Sequence, residues 1–265
     1  MKLSISNIAW DLDNDNKIYA LMKKYSYEGL EIAPTRIIPE APYDNPDKAV
    51  SWKQNIDKEY GFEIPSMQSI WFGKTQKLFD SEQERKELLD YTCRAVDFAK
   101  AVECGNLVFG SPKNRVIPDI SFEEEGVRFF KTIGEYALKN NTVIGMEANP
   151  AIYNTNYINT TVEAIELIDR VECDGFKLNL DIGSMISNNE KVEMLENKLS
   201  YINHVHISEP FLKPIEISKE RRNFLEELSA FLKENGYDRF VSVEMGKSDI
   251  SLIEETLAYV KEIFG

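Results

Sequence analysis

The chain has 265 residues, 43% of them hydrophobic, with 14 Phe and 12 Tyr, which is enough apolar material for one large core. Its 31 basic and 45 acidic residues leave a formal charge of −14, which argues against general binding to nucleic acid or to anionic lipid. The three cysteines (Cys93, Cys104, Cys173) form no CxxC pair, the strand-like start at Met1–Asn7 turns polar too soon for a signal peptide, and no apolar run nears the roughly 18 residues that span a bilayer. These features predict a reduced, cytoplasmic protein with no membrane partner.

In chain order, short runs rich in Ile, Val and Leu predict strands at 3–8, 29–33, 64–70, 106–110, 142–147, 176–181, 202–207 and 240–244, each bounded by Gly, Pro, Asn or Asp. Apolar residues at three- and four-residue steps predict helices over 82–101, 122–140, 162–170, 219–235 and 250–263. Ser121 before Glu123, Glu124 and Glu125 brings acidic groups to a helix start, and Asn235-Gly236 suits a helix end. Four prolines between 34 and 46 predict a long loop after the second strand. Alternating strand and helix implies a parallel sheet with right-handed crossovers, and eight repeats favour a closed (β/α)8 TIM barrel in a single domain over residues 1–265.

Four consecutive strands end in a metal-binding side chain: Glu147, Asp181, His206 and Glu244. They are 34 residues apart from 147 to 181, 25 from 181 to 206 and 38 from 206 to 244, each about one β/α repeat, so all four fall in one quadrant of the barrel mouth. Three carboxylates gathered without a counter-charge repel and take up protons; one divalent cation resolves this. Oxygen donors with one imidazole suit Mn, Mg or Co, with Zn or Fe as further options. Any one acid at a strand end also serves as a helix cap or a solvated loop group.

The segments Met146-Glu147-Ala148-Asn149, Leu180-Asp181-Ile182-Gly183, His204-Val205-His206-Ile207, Ser242-Val243-Glu244 and Gly29-Leu30-Glu31-Ile32-Ala33 resemble the sugar phosphate isomerase/epimerase family of xylose isomerase-like TIM barrels. The resemblance implies one metal held by Glu147, Asp181, His206 and Glu244, with His206 rather than His204 as the ligand. It also implies that Glu147 and Glu244 exchange a proton with a sugar or sugar derivative through an enediolate. The chain departs from many epimerases of that family in having Ser184 where they carry His, and in offering only Lys213 where they carry Arg after the seventh-strand His.

Further groups at strand ends are candidate substrate contacts. Arg36, Ser111, Lys113, Arg115, Lys213 and Lys247 fit a phosphorylated or carboxylated sugar, or else are ordinary loop residues. Gln68 and Glu209 are further candidate contacts, Asn7 and Asn149 suit hydroxyl groups, His204 suits substrate contact, support of a ligand or a buried structural role, and Trp10, Trp71 and Phe72 suit ring stacking, a lid, subunit contact or the core. Two other readings stay open: a metal-dependent lyase or dehydratase on a polyol or keto-sugar, and a non-catalytic sugar-binding barrel. A three-zinc DNA repair nuclease on this kind of barrel needs several histidines, and the chain has two. The expected partner is a small carbohydrate, with a homo-oligomer as one option for assembly.

Overall fold

The computed structural model describes residues 1–265. Its strands are β1 (Lys2–Ser6), β2 (Gly29–Glu31), β3 (Leu107–Phe109), β4 (Ile144–Met146), β5 (Phe176–Asp181), β6 (Ile202–Ser208) and β7 (Phe240–Glu244). All pair in parallel, in the order β2-β1-β7-β6-β5-β4-β3. Its helices are α1 (Asp15–Lys24), α2 (Pro34–Ile37), α3 (Pro46–Glu59), α4 (Glu82–Ala101), α5 (Glu123–Lys139), α6 (Thr161–Val171), α7 (Ile182–Ser187), α8 (Lys219–Glu234) and α9 (Ile250–Phe264).

The expected strand at 64–70 is corrected. This segment is not a ladder strand but a stave pinned by isolated bridges: Glu63 to Gly29, and Met67 to both Ile32 and Leu107. It still closes the barrel, since the Leu30 N–H donates to the Glu63 carbonyl (2.9 Å) and the Val108 N–H to the Met67 carbonyl (2.8 Å). Pro65 has no N–H to give a ladder, and Ser69 at φ 56° turns the chain away. The expected long loop at 34–46 is also corrected: it folds into α2 and a 3-10 turn at Pro42–Asp44, and Pro46 then opens α3 at the position where a missing N–H costs least.

The five helices expected from the three- and four-residue periodicity appear as α4, α5, α6, α8 and α9, whereas α1, α2, α3 and α7 are not among them, and side chains secure several helix ends. Ser81 and Ser218 accept from the Glu84 and Arg221 N–H groups at the starts of α4 and α8. Thr160 and Glu163 form a reciprocal capping box on α6. Gly236, at φ +79°, ends α8 in the left-handed conformation, and the following Tyr237 N–H returns to the Leu232 carbonyl. Ser121 does not cap α5; it lies in a 3-10 turn capped by Asp119, while Glu123, Glu124 and Glu125 fill the first helical turn.

Sixty-nine buried residues form one core, mostly between the barrel and its helices. Along the strands, apolar residues such as Leu3, Ile5, Val205 and Val241 alternate with small or polar ones, so one set packs outward on helices and the other fills the barrel. The interior is accordingly polar: Ser6, Glu31, Gln68, Asn106, Asn179, His204 and His206 are all at most 5% exposed and bond to one another across the lumen.

Candidate functional site

Glu147 directly follows β4, Asp181 ends β5, His206 lies within β6 and Glu244 ends β7. The parallel register sets Asp181 beside His206 and Glu244 beside Ser208. One donor atom from each of the four lies within 4.8 Å of the others. His206 Nδ1 is 3.2 Å from Glu147 Oε2, 3.2 Å from Glu244 Oε2 and 3.9 Å from Asp181 Oδ2.

Neighbouring groups hold these side chains. Asp181 accepts the Ser184 N–H (2.6 Å) and the Ser208 hydroxyl (2.5 Å). A side chain at Gly183 would come within 2.9 Å of Ser208 Oγ, so glycine lets α7 start tight against the end of β6. Glu147 accepts from the amides of Asn149 (3.1 Å) and Asn179 (3.0 Å). Glu31 lies deeper, fully buried, and its Oε2 accepts from Nε2 of both His204 and His206 at 2.9 Å. That bond commits the Nε2 proton of a neutral His206 to Glu31 and turns the Nδ1 lone pair toward the three acids.

Electrostatics separates the two layers. Burial pushes the Asp181 carboxyl up to about 6, with the charge of Glu147 adding to the effect. Burial pushes Glu244 up to about 7; the His206 imidazole opposes this and the charges of Glu147 and Asp181 reinforce it. Burial opposes protonation of His206, but Glu31, Glu244 and Glu147 outweigh it and raise the imidazole well above its ordinary value. Burial lowers His204 despite its bond to Glu31. Burial alone would raise Glu31, yet the two imidazoles outweigh it and hold that carboxyl far below its usual range.

The donor set fits a divalent cation. Three acids converge on an imidazole nitrogen with no lysine or arginine among them, so His206 is the one protein group that can bring positive charge to the cluster. An ion of two positive charges at the same point balances the acids better and frees that nitrogen to coordinate.

The other expected contacts divide. A cavity of about 240 Å³ above the cluster is lined by Gln68, Ser111, Asn149 and Glu209. Glu209, however, turns its carboxylate to Arg221 in two bonds of 2.6 and 2.9 Å. His204 sits below, behind Glu31. Arg115 is corrected most: its guanidinium is fully buried and donates to Asn149 Oδ1 and to the Glu147 and Ile158 carbonyls, so it supports the site from behind. Arg36 bonds the Asn7 carbonyl and Asp15, and Lys247 pairs with Asp11 at 2.5 Å. Lys113 and Lys213 are exposed and outside the cavity lining. Trp10 and Trp71 belong to the core, whereas Phe72 is 69% exposed.

Sequence reasoning gave no role to Glu31, Asn179, Ser208 or Tyr153. A signal existed for Glu31, a lone acid inside the apolar run Leu30-Glu31-Ile32-Ala33. Asn179 stands two residues before Asp181 on the same strand face.

A closed parallel β/α barrel with a buried acid–imidazole cluster at the carboxyl ends of its strands defines a class of protein whose chemistry sits at that rim. The chain belongs to the xylose isomerase-like TIM barrel family, whose model matches residues 19–263. A probable ketose 3-epimerase from Synechocystis sp. is 25% identical over 215 residues, covering 77% of this chain and 70% of that protein. The fold matches D-psicose 3-epimerase from Clostridium cellulolyticum H10, solved with D-tagatose, with a TM-score of 0.76 at 16% identity over 100% of this chain and 99% of that one. It also matches the IOLI protein with its zinc atom, with a TM-score of 0.69 at 19% identity over 99% of this chain and 96% of that one. No helix is long and apolar enough to cross a membrane.

Proposed function

We propose that the protein is a divalent-metal-dependent sugar epimerase or isomerase that moves a proton on a carbon next to a carbonyl. The observation that carries this reading is the convergence of four ligand-type atoms within 4.8 Å, drawn from four successive strands. The ketose 3-epimerase relative, the D-tagatose complex and the zinc-bearing neighbour support it. Glu147, Asp181, His206 and Glu244 would hold the ion, which when bound supplies the Lewis acidity that makes the neighbouring C–H acidic.

The remaining work falls to the chain. Glu147 and Glu244 stand after β4 and at the end of β7, with β5 and β6 between them, so they approach the centre from opposite sides. One glutamate takes the proton from the sugar carbon, and the other returns one to the opposite face, which inverts that carbon. Return to the adjacent carbon instead gives aldose–ketose isomerisation. The Asn149 and Asn179 amides on Glu147 keep its carboxylate aimed. Gln68 and Ser111 in the cavity wall suit sugar hydroxyls.

The test is incubation of the Mn-reconstituted protein with free ketoses in D2O, read by mass spectrometry. Deuterium enters the carbon beside the carbonyl, and Glu147→Gln and Glu244→Gln each suppress it. No incorporation across a panel of ketoses overturns the reading.

A further inference from the structure

We infer that the mouth selects an uncharged polyhydroxy sugar and discriminates against its phosphorylated or carboxylated forms; this rests on the epimerase reading of the same cavity. Every charged side chain lining the cavity is acidic: Glu147, Asp181, Glu209 and Glu244. With a divalent cation in place, the three ligand carboxylates still exceed its two positive charges by one. A phosphate arriving there meets like charge with no guanidinium or ammonium in the wall.

Four of the nearby cations are spent, and Lys113 and Lys213 stand exposed outside the lining. Arg115 lies beneath the floor on Asn149 and two carbonyls, and Arg221 is clamped on Glu209. Arg36 and Lys247 pair with Asp15 and Asp11.

Several backbone donors around the mouth are spent as well. Barrels commonly bind phosphate on N–H groups of the loops after their last strands and at an adjoining helix start. In this chain the loop after β7 gives the Gly246 N–H to the Leu212 carbonyl (2.7 Å) and the Ser248 N–H to the Ala9 carbonyl (2.9 Å). At the start of α7 the Gly183 N–H goes to Ser208 Oγ (2.9 Å) and the Ser184 N–H to Asp181 (2.6 Å).

What the wall offers instead is apolar and aromatic surface. Leu212 and Tyr153 line the cavity, and Phe211 packs edge-on against Tyr153 at 5.3 Å while donating its N–H to the Tyr153 hydroxyl. Phe211 and Leu212 both hold left-handed backbone, at φ 62° and 53°, a costly conformation for side chains of this size that keeps them at the rim. Such a surface takes the C–H face of a sugar and gives a phosphate nothing.

The test compares D-fructose with D-fructose 6-phosphate on the Mn-reconstituted full chain, by deuterium incorporation and by calorimetric binding. The neutral sugar is favoured by roughly tenfold or more in kcat/KM and in affinity, and Leu212→Lys narrows that gap. Equal or better use of the phosphate, lost in the Lys113→Ala/Lys213→Ala double variant, overturns the inference and leaves the epimerase reading intact. If neither sugar exchanges deuterium, nor any other ketose of the panel, the epimerase reading falls. In that case selective binding of the neutral sugar still upholds the charge selection, and binding of the phosphate, or of neither, ends it.

Discussion

Two sets of buried carboxylates share one histidine and titrate in opposite directions. Glu31, inside the barrel, accepts hydrogen bonds from two imidazoles and is held far below the ordinary carboxylate range. Asp181 and Glu244, a layer above on the other side of His206, rise to about 6 and about 7 because burial falls on acids that face one another. Burial is common to all three, so the partners decide the sign. A carboxylate bridging two imidazoles is a fixed strut. Carboxylates gathered around one shared imidazole fit a cation.

The sharpest way to test this contrast is at the rim. Glu244→Gln keeps the side-chain shape and removes the base, so turnover falls by about 10²–10⁴-fold with an unchanged circular dichroism spectrum. Undiminished turnover removes Glu244 from the proton transfer. At the strut, Glu31→Gln leaves the rim acids untouched but loosens the orientation of His206. Mn affinity, measured by calorimetry, weakens by about 10–100-fold, the scale expected for a residue that orients a ligand. Equal affinity in variant and parent reduces Glu31 to a packing residue.

Arg115→Met tests support from behind. It strands Asn149 Oδ1 and the Glu147 carbonyl, costing about 1–3 kcal/mol in denaturant unfolding for each acceptor left without a partner, while the Ile158 carbonyl keeps the Asn149 N–H.

The pH dependence tests the sign directly. In metal-free protein the folded state binds protons at Asp181 and Glu244 that the unfolded chain, with values near 3.8 and 4.5, releases earlier. Folding stability therefore falls as pH rises from about 4 to about 7, and His206, also raised, extends the decline above its ordinary 6.5. Glu31 acts the other way: its contribution is present above about 4.5 and lost only in stronger acid. A saturating divalent cation cancels the decline, and its affinity rises across the same interval. Thermal unfolding at pH 5 and pH 8, with and without Mn, reads all of this. A metal-free protein more stable at pH 8 reverses the assigned sign. Lys247→Ala is the smallest change: both partners of its ion pair are more than half exposed, and stability moves by no more than about 1 kcal/mol.

Much of the site was legible because strands and acids alternate with a fixed period. Glu147, Asp181, His206 and Glu244 each close an apolar run, and one repeat of spacing puts them on neighbouring strands. The cationic residues were not legible. Arg36, Arg115 and Lys247 stand in loops that follow strands, just where a substrate contact would stand, and only their partners at Asp15, Asn149 and Asp11 take them out of the cavity. A loop position specifies a neighbourhood, whereas the direction of a long side chain depends on which acceptors the rest of the chain brings near. The stave at 63–67 escaped for another reason. Its apolar run reads as a strand, but Pro65 restricts it to single bridges.

By itself the sequence determined the barrel, five of its helices and the four side chains at one quadrant of the rim, because two-residue and 3.6-residue periodicities and repeat spacing are local properties that survive any detail of packing. Only the tertiary structure decided the orientation and charge of the centre. Glu31 lies 173 and 175 positions from the imidazoles it holds. The sign of each proton affinity depends on neighbours that meet only when the barrel closes.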